Sequence, residues 1–368
     1  MTPNQNQHKF WSLVQHNPDE FKHCYYEISC NSGITQQIIE DNPSFPWNWD
    51  AVARNPNVLP EWYITVCKKQ NVGLCWNVNL TINFINDHPY FPWSWSWLCG
   101  NHNFLKTVTL DDLVKHLRNE DWRHVCHLPI VTLQFIEHTK HTINWDWYYV
   151  SRNPNLTLQF VEQHFNKCVD NDDNNCISWE DIARNPGIAV GDLFTYIMNN
   201  IPYYEVQWQL AISALCQHPG LTLDFVLDNL NTSVVGYDDN GDEQKKTVTV
   251  PWDWKLLSRN PAVATLDNIT NNHHLPWIWY WVAWNPNITE QFIEDNINED
   301  WDWNYLAGVA GVNYQLFIRH PDQDWTHKML SLNPTLSIDY VTQNPNLEWD
   351  WSALCRNSFN KQSTHVTV

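Results

Sequence analysis

The chain has 368 residues, 43% of them hydrophobic, with 24 Trp and a formal net charge of −20. That apolar and aromatic content excludes bulk disorder, and the acidic balance excludes the basic footprint that nucleic acid or an anionic membrane requires; it would steer basic proteins or peptides instead. The start, Met1-Thr2-Pro3-Asn4-Gln5-Asn6-Gln7-His8, lacks the basic and apolar regions of a signal peptide, and no run of roughly 18 apolar residues occurs, so a soluble cytoplasmic protein is expected.

One stretch, Pro251-Trp252-Asp253-Trp254-Lys255-Leu256-Leu257-Ser258-Arg259-Asn260-Pro261, recurs from end to end at an interval of about 24 residues. After a polar tail over 1–8, a partial copy at 9–18 is anchored on Trp11; the next anchor, Tyr25, follows so soon that the first copy is expected to lack its second helix. Anchors continue at Trp49, Asn71, Trp95, Trp122 and Trp147. A polar loop insertion over 166–177 precedes Trp179, and 197–209 adds Pro202-Tyr203-Tyr204 before the anchor Ile212. The largest insertion, 231–250, has two strand-like runs flanking Asp238-Asp239-Asn240-Gly241, which predicts a β-hairpin. Anchors then fall at Trp254, Trp279, Trp303, His327 and Trp351, and the array over 9–357 ends in a polar tail, 358–368.

Each copy reads as helix–turn–helix. Asp253, like Asn48, Ser94, Asp146, Asp302 and Asp350, stands between two Trp-type positions and predicts an N-cap, with Trp254 opening the helix. The first Trp and the aliphatic residue three after the anchor are placed as a hydrophobic staple, Trp252 on Leu257 and Trp301 on Leu306. Ser258 marks a column of small residues. Asn260-Pro261 ends the helix, because the residue before Pro is pushed out of the α region. A Thr then caps a second short helix carrying a Phe-Ile type pair, as in Thr289 and Phe292-Ile293. Such short helices cannot stand alone, so copies must stack. About fourteen copies make an all-α, elongated α-solenoid with a β-hairpin insertion, its atypical end copies acting as caps.

With these columns, the chain resembles the Trp-rich repeats with Trp-Asp-Trp and Asn-Pro motifs of large DNA viruses of amoebae. Segments such as Ala53-Arg54-Asn55-Pro56-Asn57-Val58 are also similar to the leucine-rich repeat variant family. The resemblance implies stacked short helices and a viral setting, in host-cell cytoplasm or in the virion, and carries no defined activity.

Most candidate site residues have a structural reading. The pairs Trp252/Trp254, Trp301/Trp303 and Trp145/Trp147 would fill the space between copies, or else offer stacking platforms to a glycan. Arg54, Arg152, Arg184, Arg259 and Arg356 would pair with helix C-termini and neighbouring acids, or line a groove for acidic ligands. The Asn column is expected to bond turn backbone. The ten Cys are expected to be free thiols. Tyr237, Asp238 and Asp239 at the hairpin tip are candidate contacts, and neither acidic loop has calcium-loop spacing. No phosphate loop, nucleophile elbow or zinc signature occurs, so no cofactor and no metal are expected. The expected function is a non-enzymatic scaffold for protein–protein interaction with a basic protein partner. The alternatives are a virion structural component and a Trp-lined glycan binder.

Overall fold

A computed structural model describes residues 3–67, 72–165, 179–200, 206–237, 243–309, 311–357 and 359. They form 26 α-helices, two 3₁₀ turns (Val72–Trp76 and Asn119–His124) and one two-stranded sheet. The protein is therefore all-α apart from the hairpin. Strands β1 (Asn231–Tyr237) and β2 (Glu243–Thr249) pair antiparallel, from Asn231 opposite Thr249 to Tyr237 opposite Glu243. The chain divides into two compact units. One comprises Met1–Leu113, Thr289–Ile297 and Asp302–Val368; the other comprises Val114–Ile288 and Asn298–Trp301.

The local grammar follows from capping. Asn48, Asp253, Asp302 and Asp350 accept first-turn amides at the starts of helices Trp49–Arg54, Trp254–Arg259, Trp303–Gly308 and Trp351–Arg356. Ser94 and Asp146 sit at the same position without a side-chain cap bond. The Thr column caps the second helices, as Thr81 does for Phe84 and Thr289 for Phe292, each at 3.2 Å. First helices end at Asn, which is extended at Asn31, Asn55, Asn260 and Asn357.

The Asn column does more than close turns. Asn55 is fully buried, and its amide donates to Ser29 O (2.9 Å), Asn31 O (3.1 Å) and Ile34 O (3.1 Å) of the copy before. Its Oδ1 accepts from Asn57 N, two residues on. Asn77, Asn101, Asn153, Asn185, Asn333 and Asn357 repeat the pattern on their own predecessors. Copies are thus joined by buried hydrogen bonds that satisfy carbonyls no helix can reach. The small column adds another link: Ser29, Ser258 and Ser331 hydroxyls accept the backbone amides of Asn48, Ile278 and Asp350, each at 3.0 Å.

At 218, where Asn is replaced, His does its work. His218 Nε2 faces Asn185 O (2.9 Å) and Ile188 O (3.1 Å), and Gly220 N donates to Nδ1. Nε2 must carry the proton and Nδ1 must not, so the ring is neutral. Burial pushes its pKa below the ordinary imidazole value, opposed by the two carbonyls. A depressed histidine stabilises the fold while uncharged. Its contribution is full above the unfolded value of about 6.5 and is lost as pH falls below it, because the unfolded chain then binds the proton first. His218→Asn is expected to keep the inter-copy bonds and to flatten the fall in melting temperature between neutral and mildly acidic pH. Thermal melts of both proteins across that range check this; equal slopes would count against the neutral ring.

The Trp pair is an inter-copy lock. Trp252 and Leu257 are both buried, as a staple requires, and so are Trp301 and Leu306. The rings' aromatic contacts, however, run between copies. The second Trp-type ring of one copy meets the first Trp of the next edge to face in Trp122–Trp145, Trp254–Trp277, Trp279–Trp301 and His327–Trp349, at 5.1 to 5.4 Å. The first Trp also donates its indole N–H to the carbonyl five residues back, where the second helix has ended: Trp47 to Asn42, Trp93 to His88, Trp277 to Asn272, Trp325 to His320 and Trp349 to Asn344. Trp252 makes the same bond to Asn229 across the whole hairpin, which is spliced in where the chain is already pinned.

Several expectations give way. A helix spans Pro3–His16, so most of the stretch read as an N-terminal tail is helical. The first copy keeps a one-turn second helix, Pro18–Phe21. Ile212 does not open its helix, which begins at Val206. Within the unit that holds both termini, the last copy packs on the first ones, with Asn31 donating to Cys355 O and Asn357 O and Lys9 salt-bridged to Asp339 at 2.6 Å. Within that unit the end copies therefore pack on each other, which buries apolar surface such as Phe21 against Trp351. The loop 166–177, Asn71, Pro202-Tyr203-Tyr204 and Asp238–Asn240 lie outside the described residues.

Candidate functional site

The residues chosen from the sequence divide by what remains free. Trp145, Trp252, Trp301 and Trp303 are buried, and Trp147 and Trp254 are half-buried. The first Trp of each pair is spent on packing and cannot serve as a platform. Asp253, Leu257, Ser258 and Asn260 are consumed by cap, core and inter-copy bonds, and Pro261 is exposed in the turn. Tyr237 closes β1 opposite Glu243. Asp238 and Asp239 fall outside the described residues.

The Arg column is not a uniform set of helix-end pairs. Arg54 lies over the Trp76 ring at 5.9 Å and Arg259 over the Trp284 ring at 5.2 Å, each on the same column of the following copy. Arg152 packs on Tyr148 at 4.5 Å and bridges Asp181 at 3.1 Å. Arg184 approaches Glu180 at 3.8 Å, and only Arg356 among the five bonds a carbonyl of its own helix, Ser352 O. Lys255 joins this chemistry, 4.3 Å from the Trp281 ring, and Trp281 stands 5.8 Å from Trp284. Such cation–ring contacts hold cations at the surface instead of freeing them into a groove.

Exposure follows the helix type. First helices expose rings and cations: Trp97 is 39% and Tyr280 42% exposed, and Arg259, Lys328 and Arg356 are also exposed. Second helices expose acids: Glu40 and Asp41, Asp87, Glu137, Asp224 and Asp228, Asp267 and Asp295. Among the described second helices the basic residues are Lys115 and Arg319, and Arg319 is tied down by Glu290 at 2.5 Å and Glu294 at 2.9 Å. The charge of the chain is therefore not spread evenly; the acids concentrate on one helix of each pair. Composition alone could not show this, but reading charge helix by helix along the repeat could have.

Catalytic or metal chemistry finds little to use. Among the described residues no group of three or more His, Cys, Asp or Glu could hold a metal. The described cysteines form no disulfide, and burial pushes Cys126 and Cys216 up to about 12, away from nucleophilic use. A cavity of about 330 Å³ opens beside Trp11, Tyr25, Phe45 and Pro46, where the shortened second helix of the first copy leaves space. Its lining carries no charged side chain. Among the described residues no helix is long and apolar enough to cross a membrane. Compared with protein-family models, curated proteins and solved structures, the chain matches none.

Proposed function

We propose that the chain is a non-enzymatic repeat scaffold, a solenoid of short helical pairs, that binds a basic protein partner. The observation that carries the reading is the partition of surface chemistry. The repeat consumes its Trp, Asn and small columns in holding copies together, and what it leaves exposed on the second helices is a recurring set of carboxylates. Repeats present the same side chains at regular intervals, so a partner with spaced Lys or Arg gains several weak contacts at once. Steering by the net charge of −20 speeds the encounter. Exposed Trp, Tyr and Arg on the first helices are the residue types that dominate interface energetics. With the resemblance to the Trp-rich repeats of amoebal viruses, the setting of the reading is host-cell cytoplasm or the virion.

The test is affinity purification of the tagged chain with mass spectrometry, followed by titration of the captured protein against the combined variant Asp224→Asn, Asp228→Asn and Asp267→Asn. These side chains are exposed, so the variant is expected to fold. Binding is expected to weaken with the variant and with added salt. Affinity indifferent to both would remove the acidic helices from the reading, and recovery of no specific protein would remove the scaffold.

A further inference from the structure

The first and last copies meet inside the unit that contains both chain ends, and they bring two cysteines together. Helix Tyr25–Cys30 and the turn Pro18–Phe21 both pack on helix Trp351–Arg356. Phe21 meets Trp351 edge to face at 5.2 Å, and Asn31 donates its amide to Cys355 O and, at 3.1 Å, to Asn357 O. Cys24 is the N-cap of the first of these helices, and Cys355 lies in the last turn of the other. Both side chains are buried, Cys24 at 5% exposure and Cys355 at 0%. The two side chains lie within interaction distance of each other where these helices pack. Cys355 occupies the small column, and Cys24 precedes the anchor Tyr25, so no single column of the repeat makes this pair; it exists only because the ends meet.

We propose that Cys24 and Cys355 form an oxidisable pair whose disulfide staples the last copy of the repeat to the second. The reaction is thiol–disulfide exchange with a small-molecule disulfide. The Cys24 thiolate, on the less deeply buried residue, attacks one sulfur of the small disulfide and releases one small thiol. The Cys355 thiolate then attacks the Cys24 sulfur of the mixed disulfide and releases the second. Each protein thiol gives up one proton, and the small disulfide takes the two electrons as it becomes two thiols. Burial pushes both thiols up, and for Cys24 the nearby Glu27 adds to the effect. The thiolates are therefore scarce while the ends are closed, and exchange proceeds through transient opening of the last copy. Once formed, the bond joins residues almost a full chain length apart and removes that opening.

The experiment oxidises the full chain with oxidised glutathione, under native conditions, in a background carrying Cys168→Ser and Cys176→Ser, since those two residues lie outside the described region. A non-reduced digest is expected to contain a peptide joining residues 24 and 355. The denatured chain is expected to migrate faster without reductant than with it, and its denaturation midpoint is expected to rise. Cys355→Ala keeps a residue that the same column uses at Ala53, Ala183, Ala283 and Ala307, so it is expected to fold and to lose all three signals. Absence of the linked peptide at equilibrium, or pairing scattered over other cysteines, would overturn the pair. A linked peptide with an unchanged midpoint would overturn the staple.

Discussion

Replacing Asn55 by Ala is expected to cost about 3–5 kcal/mol, from roughly 0.5 kcal/mol for each of four lost bonds, three of which share two amide hydrogens, and about 1–3 kcal/mol for a buried carbonyl left unpaired. The side chain is fully buried and makes four hydrogen bonds, three donated to the preceding copy and one accepted from Asn57 N. Ala loses all four, and Ser29 O then faces a dry interface without its partner. Asn55→Asp is expected to be worse. It is nearly the same size and can still accept from Asn57, but it replaces the donor by a carboxylate facing three carbonyl oxygens. Asn55→His is the informative third variant, because His218 fills the same column with one ring N–H aimed at two carbonyls. It is expected to retain more stability than Ala at neutral pH and to lose that advantage in acid. Urea denaturation of the three variants checks the order. An Ala variant within about 1 kcal/mol of the native chain would mean that these bonds contribute no more than an exposed turn would.

Trp277→Ala is the second large effect, again about 3–5 kcal/mol for a buried Trp. Trp277 is 8% exposed, meets Trp254 edge to face at 5.3 Å and donates to Asn272 O at 3.0 Å. In the fold Trp254 is only half-buried, so Trp254→Ala is expected to cost less than Trp277→Ala. Trp277→Phe separates packing from hydrogen bonding. It keeps most of the apolar area and removes one hydrogen bond, leaving the Asn272 carbonyl with the Leu275 amide (3.0 Å) as its donor, at about 0.5–1.5 kcal/mol. Trp145 supplies the control. It is equally buried, but its Nε1 has no hydrogen-bond partner among the described residues. Five residues back stands Lys140, a helical C-cap, in contrast to the non-helical Asn272. Trp145→Phe removes a buried donor that is already unpaired, and it is expected to be neutral or stabilising. Similar losses at 145 and 277 would show that the indole N–H contributes nothing to stability.

The two substitutions explain why the motif was readable as architecture and silent on activity. Trp, Asp, Asn, Pro and Thr recur because each solves a local problem of a short helix: a start, a stop or a carbonyl left over at its end. Such solutions depend on neighbours within a few residues, so spacing exposes them. The hairpin was legible for the same reason, since Asn-Gly between two strand-like runs is a local signal, and the described strands pair as expected. The Arg column was legible only in part, because its partners lie one copy away and differ from copy to copy: the Trp76 ring for Arg54, the expected kind of acid, Asp181, for Arg152, and the Trp284 ring for Arg259. A column shows where a side chain sits in its own unit and says nothing of what the next unit offers it.

By itself, then, the sequence determined the helical pairs, their caps, the small and aliphatic columns and the place of the insertion. All of these follow from backbone preferences and from apolar spacing within one copy. Only the tertiary structure decided that the Asn amides reach backward to the preceding copy, that Trp145 and Trp252 are more deeply buried than Trp147 and Trp254, that carboxylates gather on the second helices, and that Asn31 closes on Cys355 and Asn357. The physical reason is sequence distance. A hydrogen bond between residues 31 and 355 leaves no periodic trace, because nothing in the spacing of a repeat states where its last copy will come to rest.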